Sequence, residues 1–256
     1  MFGRVHFFAI AFLLALSPSA EARSAFLLDG EVSLRAFESL AVARLDGDLV
    51  ALRTLAATAD AESGDWNRIR PPLTRLSQSS EVNAVVWFAR PDGSYFTVLA
   101  GLTDQNLKDR GYFPVLMAGK DVTGDLVVSR STGQKSVVVA TPVAKDGKIA
   151  GALGVSMSVE GLSAWIDQRL NLPKDVVFYA LDVHGQTALH RDRSLMFAYP
   201  SELGDTSLKD AVQTMLTTPS GTVNYVFRGS QRTVIFRKSA ATGWVFALGV
   251  VTPVHQ

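Results

Sequence analysis

Two stretches of the chain, one in each half, decide the fold. Residues 85–98 read VVWFARPDGSYFTV, and residues 176–189 read VVFYALDVHGQTAL. Each is an apolar run rich in β-branched and aromatic residues, followed by an Asp-containing turn that ends in glycine and by a second run. This is the pattern of two antiparallel strands joined by a hairpin turn. A hairpin that recurs in the second half predicts a chain built twice from one unit.

The segments that follow the two hairpins are also similar, as GKIAGALGVSM at 147–157 and TGWVFALGVV at 242–251 show. The predicted strands are 82–88, 95–99, 126–129, 136–143 and 149–157 in the first half, and 176–181, 186–189, 223–227, 233–236 and 244–251 in the second. Helices are predicted at 160–170 and 208–216, and residues 106–118 are helical or irregular. The fold class is therefore α+β, with two five-stranded antiparallel sheets and flanking helices. The alternative is chance, because apolar strands beside Asp-Gly turns occur in many α+β proteins.

A long helix is predicted ahead of the first sheet, over residues 31–60. Its apolar positions recur at steps of three and four: Leu34, Phe37, Leu40, Ala41, Leu45, Leu49, Leu52 and Leu55. Gly64 is suited to end it, and Asp65 is placed to cap a second helix over 66–79. Pro71 and Pro72 are expected to kink that helix or to delay its start.

The first 22 residues have the order of a secretory signal peptide. Arg4 supplies the positive end, residues 7–16 are an unbroken apolar run, and Ala20-Glu21-Ala22 is an A-x-A cleavage signal. The run is shorter than the roughly 20 residues that cross a bilayer. We therefore expect cleavage after Ala22 and a soluble periplasmic or secreted protein, with an uncleaved membrane anchor as the alternative.

The composition is that of an ordinary globular protein, with 47% hydrophobic residues, 19% charged residues and a net charge of +1. A near-neutral chain has no broad positive field for nucleic acid, so nucleic-acid partners are not expected. With no cysteine in the sequence, disulfides, thiolate metal sites, cysteine nucleophiles and a lipid anchor on cysteine are excluded.

Several short motifs stand in a fixed order after the first hairpin. They are DRGYF at 109–113, SRSTG at 129–133, ATPV at 140–143, DG at 146–147 and GALGV at 151–155. This set resembles the double Cache family of extracytoplasmic sensor domains, in which two PAS-like modules follow a long N-terminal helix. The resemblance divides the chain into a signal peptide (1–22), N-terminal helices (23–80), a membrane-distal type of module with the ligand pocket (81–172) and a second module (173–256).

The resemblance also implies a ligand site in the first module. The family pattern Arg-x-Trp-Tyr stands here as Arg110-Gly111-Tyr112-Phe113, where the guanidinium would bind a carboxylate between two aromatic walls. Trp87 and Tyr95 belong to the same expected site. The alternative is that both aromatic residues of the motif are core residues and Arg110 is a surface charge.

Three positions depart from the pattern of amino-acid-binding members. Gln105 replaces a tyrosine five positions before the arginine, and Ser129 and Ser156 stand where acids would hold the ligand's ammonium group. A neutral hydroxyl cannot provide the charge-assisted acceptor that an ammonium group prefers. We therefore expect a small organic acid as the ligand rather than an α-amino acid.

Catalytic and metal-binding motifs are weak or missing in the sequence. Asp182, His184, His190 and Asp192 lie within eleven positions and could in principle hold zinc, although the first two belong to a turn where polar residues are common. No serine-nucleophile motif, P-loop or dinucleotide fingerprint is present. We expect a non-catalytic sensor module without a cofactor, with a secreted hydrolase or another enzyme as the alternative.

No second apolar span and no output domain follow Val251 in the sequence. The signal is therefore expected to reach a separate partner, such as a membrane receptor, kinase or cyclase. The long helix could also pair with its copy in a homodimer.

Overall fold

The structure is a computed structural model that describes residues 19–253, with side chains from residue 29 onward. The basic and apolar parts of the predicted signal peptide lie outside the described residues. The predicted cleavage point after Ala22 falls within the first helix, which begins at Ser19. No helix among the described residues is long and apolar enough to cross a membrane.

Three helices precede the sheets: α1 (Ser19–Ala56), α2 (Ala59–Glu62) and α3 (Trp66–Ser79). The predicted long helix is present but ends earlier than residue 60. Thr58 has an extended backbone and its side chain accepts from the N–H of Ala61, so it starts a new helix. Asp65 caps α3 as predicted, with its carboxylate accepting from the N–H of Asn67 at 3.0 Å.

The first sheet has six antiparallel strands in the order β3-β2-β1-β6-β5-β4. They are β1 (Ala84–Ala89), β2 (Ser94–Thr97), β3 (Gly101–Asn106), β4 (Val122–Val128), β5 (Lys135–Lys145) and β6 (Lys148–Ser158), and α4 (Phe113–Met117) lies between β3 and β4. The sequence predicted five strands, so β3 is a correction. Its sequence GLTDQN is polar and largely exposed on the sheet edge, and it lacks the apolar alternation that signals a strand.

The second sheet has the predicted five strands, in the order β8-β7-β11-β10-β9. They are β7 (Val176–Leu181), β8 (Thr187–His190), β9 (Ser220–Phe227), β10 (Ser230–Lys238) and β11 (Val245–Pro253), and α5 (Val159–Leu170) and α6 (Thr206–Thr217) precede β7 and β9. Apart from β3, the two sheets have the same strand order, which confirms the predicted repeat. We call β1–β6 with α4 the first module, and β7–β11 with α6 the second module.

Helix α1 joins the two modules through one continuous apolar core. Phe37 lies at its centre, with its ring centroid 4.9 Å from that of Phe178 and 5.0 Å from that of Phe246. The opposite face of each sheet has its own smaller apolar cluster, covered by α4 in the first module and by α6 in the second. These outer faces, which α1 does not fill, are where cavities can form.

Candidate functional site

The outer face of the first sheet encloses a small cavity, which we call the first chamber. It is lined by apolar, hydroxyl and guanidinium groups of Val85, Trp87, Tyr95, Leu107, Arg110, Tyr112, Val127, Ser129, Arg130, Ser131 and Ser156. No carboxylate is found among these described residues. The cavity volume is about 20 Å³, which is room for roughly one water molecule.

Arg110 is held by the turn that leads into α4. Its backbone N–H donates to the carbonyl of Leu107, and its own carbonyl accepts from the N–H of Phe113, both at 2.9 Å. Its Nη2 donates to the carbonyl of Val128 at 2.7 Å. Its Nε is buried without a hydrogen-bond partner. The described protein atoms therefore leave one donor of Arg110 unsatisfied. A buried donor without an acceptor costs about 1–3 kcal/mol.

Trp87 forms one wall of the first chamber and is fixed from the neighbouring strand. Its indole Nε1 donates to the hydroxyl of Ser156 at 3.0 Å. Gly154 lies directly opposite on β6, and a methyl group there would be 2.1 Å from the indole Cζ2. The glycine therefore leaves the space that the indole occupies. Ser156 positions Trp87 in addition to lining the chamber.

Six of the seven predicted site residues line the first chamber, and Phe113 does not. Phe113 begins α4 and is buried in the apolar cluster of this face. Tyr112 lies beside Trp87, with ring centroids 6.4 Å apart. Burial raises the pKa of the Tyr112 phenol to about 12, so it stays protonated at neutral pH. The hydroxyl of Ser129 lies 3.3 Å from that of Ser131.

Arg130 is a lining residue that the sequence reasoning missed. It lies within the SRSTG motif, and its guanidinium forms an ion pair of 2.7 Å with Asp109, which belongs to the DRGYF motif. It also donates to the carbonyl of Asn106. Arg130 and Asp109 both belong to motifs that stand out in the sequence, and this could have indicated that Arg130 lies near the site. Because Asp109 balances the charge of Arg130, the charge left over in the chamber is that of Arg110.

The first chamber borders a larger cleft between the two modules, with a cavity volume of about 470 Å³. We call this the inter-module cleft. Four residues line both spaces: Arg110, Tyr112, Val127 and Arg130. The second module contributes His184 and Asp182 to the cleft, opposite Asp125 of β4. Burial raises the pKa of Asp125, and the nearby His184 opposes that shift. The cleft thus lies between the first chamber and polar residues of the second module.

The four polar residues at 182–192 do not form a common site. Asp182 accepts from the backbone N–H groups of His184 and Gln186 and so shapes the β7–β8 turn. His190 is buried, and its Nδ1 accepts from the backbone N–H of Asp192 at 2.7 Å. Among the residues that the structure describes, no three His, Asp or Glu side chains are grouped as a metal site would require.

No protein-family model matches the sequence, and no curated protein does either. Solved structures do match the fold. The ligand-binding domain of the Pseudomonas aeruginosa PAO1 amino acid chemoreceptor PctB, in complex with L-Arg, has a TM-score of 0.71 at 16% identity and covers 90% of this chain and 96% of that chain.

Two further structures are similar over almost their whole length. The sensory domain of the Campylobacter jejuni chemoreceptor Tlp3, with isoleucine bound, has a TM-score of 0.68 at 14% identity and covers 93% of this chain and 98% of that chain. The sensor domain of the V. cholerae histidine kinase DctB has a TM-score of 0.65 at 16% identity and covers 92% of this chain and 100% of that chain. The chain therefore has the tandem-module fold of these sensory domains, as the resemblance to double Cache domains predicted.

Proposed function

We propose that this chain is an extracytoplasmic, non-catalytic sensor module that binds a small organic carboxylate in the first chamber and signals through a separate partner. The observation that carries the proposal is the buried, unpartnered Nε of Arg110 in a chamber without a carboxylate. Guanidinium groups bind carboxylates through charge-assisted hydrogen bonds. A ligand carboxylate would supply the acceptor that Arg110 lacks.

The lining of the first chamber also favours an acid over an amino acid. An α-amino acid brings an ammonium group, which needs an acceptor with negative charge. Ser129 and Ser156 supply only hydroxyls, and the hydroxyl of Ser156 already accepts from Trp87. The PctB and Tlp3 structures are amino acid complexes, so the proposal places this chain apart from them in ligand class.

Ligand binding must widen the first chamber, since its present volume of about 20 Å³ is smaller than an organic acid. The wall shared with the inter-module cleft contains Arg110 itself, so movement of this wall would alter the surface that faces the second module. A ligand that prefers the widened state shifts the population toward it. This supports transmission from the first chamber to the second module and onward to a partner.

We also propose that α1 mediates self-association. Val32 and Val50 on α1 are 68% and 59% exposed. They are 18 residues apart, which is five turns at 3.6 residues per turn, so they lie on the same face of the helix. Exposed apolar groups in line on one helix suit packing against a second copy. Light scattering of the purified protein should show a dimer, and Val50→Asp should shift it toward monomer.

The ligand proposal is tested by calorimetric titration of the purified protein with organic acids of two to four carbons and with α-amino acids of the same length. At least one acid should bind, and Arg110→Met should weaken that binding at least 100-fold, because the charge-assisted pairing is lost. Arg90→Met is the matched control, since Arg90 lies over the ring of Phe96 outside the chamber. Unchanged affinity in Arg110→Met, or tighter binding of amino acids than of acids, would contradict the proposal.

A further inference from the structure

The second module has a cavity of its own on the outer face of its sheet, which we call the second chamber. It is lined by Tyr179, Thr187, His190, Leu195, Pro200, Leu203, Leu208, Val212, Tyr225, Phe227 and Arg232. Its volume is about 30 Å³, which is room for roughly two water molecules, so the chamber must widen slightly to admit formate or acetate. No carboxylate occurs among these lining residues.

Two polar atoms that line the second chamber are buried without hydrogen-bond partners. Thr187 on β8 is 1% exposed, and its hydroxyl makes no hydrogen bond. The Nε of Arg232 on β10 is buried and unpartnered as well. None of the nine ion pairs found between described residues involves Arg232. Arg232 as a whole is half-buried, but its buried Nε lacks an acceptor, which costs about 1–3 kcal/mol, so the chamber has an unmet need for a hydrogen-bond acceptor.

Among the other polar groups of the second chamber, His190 presents a donor, whereas the hydroxyl protons of both tyrosines are already donated to neighbouring side chains. The Nδ1 of His190 accepts from the N–H of Asp192 at 2.7 Å, which leaves Nε2 as the protonated nitrogen of the neutral ring. Burial lowers the pKa of His190 to about 4, so the ring is neutral at physiological pH. Tyr225 donates to the hydroxyl of Tyr179 at 3.2 Å, and Tyr179 donates to the sulfur of Met215 at 3.6 Å.

A wider opening of about 540 Å³ lies directly outside the second chamber. We call it the outer vestibule. It shares three apolar walls with the second chamber, namely Leu195, Leu203 and Phe227. Arg228 lies at this outer side, where its guanidinium is 5.1 Å from the ring of Phe227, while that of Arg232 lies 5.0 Å from the same ring. Arg228 thus lines the vestibule and pairs with Asp192, whereas Arg232 lines the chamber and has no ion-pair partner among the described residues.

We propose that the second chamber is a separate binding site for a small monocarboxylate of about three or four heavy atoms. Its carboxylate would accept from the Nε of Arg232, while Thr187 lines the chamber from β8, which β7 and β11 separate from β10. The vestibule gives it access, and the apolar walls exclude water, which strengthens the pairing. The site does not involve Arg110 or the inter-module cleft. Its test is therefore independent of the function proposed for the first chamber.

The test is nuclear magnetic resonance of the purified protein labelled in its histidine rings, titrated with formate and with acetate. The ring signal of His190, identified among the four histidines of the sequence by its absence from the His190→Gln variant, should shift in a saturable way. Arg232→Met should weaken the response at least tenfold, and Arg228→Met, which removes the outer arginine of the pair, should leave it unchanged. Arg110→Met should also leave it unchanged.

Arg232→Lys keeps the positive charge and removes the Nε donor, so it decides the matter if Arg232→Met does not fold. We expect about tenfold weaker binding from loss of one hydrogen bond to a charged group. The proposal is overturned if neither probe shifts His190 saturably. It is equally overturned if Arg232→Met and Arg228→Met respond alike, or if Arg232→Lys binds as tightly as the unaltered protein.

Discussion

The two chambers lie on corresponding faces of two sheets with the same strand order, yet they open in different directions. The first shares Arg110 and three other residues with the cleft between the modules. The second shares Leu195, Leu203 and Phe227 with a vestibule made by the second module alone. Each contains an arginine whose buried Nε has no partner. The difference teaches that repetition of a fold preserves the cavity, whereas its surroundings decide whether a ligand can influence the other module.

The largest expected difference between the chambers is their response to acid. The pKa of His190 is lowered from 6.5 to about 4 by burial. The unfolded chain therefore binds more protons than the folded one between these values, and stability is lost as the pH falls from about 6.5 to about 4. The loss amounts to about 3 kcal/mol. In the first chamber, burial raises the pKa of Tyr112 to about 12, so this phenol does not titrate in that range.

This acid sensitivity is measured by urea unfolding at pH 7.5 and at pH 4 for the unaltered protein and for His190→Gln. The variant removes the titrating ring, so its free energy of unfolding should fall less between the two pH values, by about 3 kcal/mol. Equal losses in both proteins would show that His190 is not the group that makes the second chamber sensitive to acid.

The next prediction concerns the preference of the first chamber for organic acids over amino acids. Ser129→Asp places a carboxylate in the first chamber, near Arg110 and Arg130. It would compete with a ligand carboxylate for Arg110 and would offer an acceptor to a ligand ammonium group. We expect the ratio of organic-acid to amino-acid affinity to fall about 100-fold.

Ser129→Asn is the matched control, because the amide has the same shape without the charge. Calorimetric titration of both variants with the same acid and amino acid measures the ratio. An organic-acid affinity that is equal in the two variants would mean that residue 129 does not face the ligand.

The sequence predicted an element well where the pattern that forms it lies within the element's own residues. Strands with continuous apolar runs were placed closely, since β7 was predicted at 176–181 and is observed at Val176–Leu181. The polar edge strand β3 was missed, because its pairing with β2 leaves no pattern in its own side chains.

The two chambers show the same limit. Most lining residues predicted for the first chamber do line it, because residues such as Arg110 and Ser129 lie in motifs that follow a fixed order. The second was missed, because Thr187 and Arg232 are 45 positions apart and line one cavity from strands β8 and β10, which only the sheet brings to the same face. In sequence, Arg232 in SQRTVIFRK has the appearance of an exposed charge on a strand end.

A third difference lies in the residue opposite each aromatic wall. Trp87 faces Gly154 on β6, whereas Tyr179 faces Ala247 on β11. The larger indole needs the space that Gly154 leaves, since a methyl group there would be 2.1 Å from it. Gly154→Ala should therefore destabilise the protein by about 2 kcal/mol, as measured by urea unfolding. Ala247→Gly, the reciprocal change, should cost only about 1 kcal/mol. A harmless Gly154→Ala would show that Trp87 can move aside.

The smallest effect concerns the contact that joins the two modules beside the cleft. Trp244 in the second module donates from Nε1 to the carbonyl of Gly124 in β4 at 3.2 Å. Trp244→Phe keeps an aromatic ring in the core and removes this donor, at a cost of about 1 kcal/mol. If the cleft transmits ligand binding in the first chamber, hydrogen exchange in the second module should respond less to ligand in this variant. Tyr225→Phe removes a hydroxyl from the second chamber instead and should leave the response intact. An undiminished response in Trp244→Phe would mean that the modules communicate through α1 and the common core rather than across the cleft.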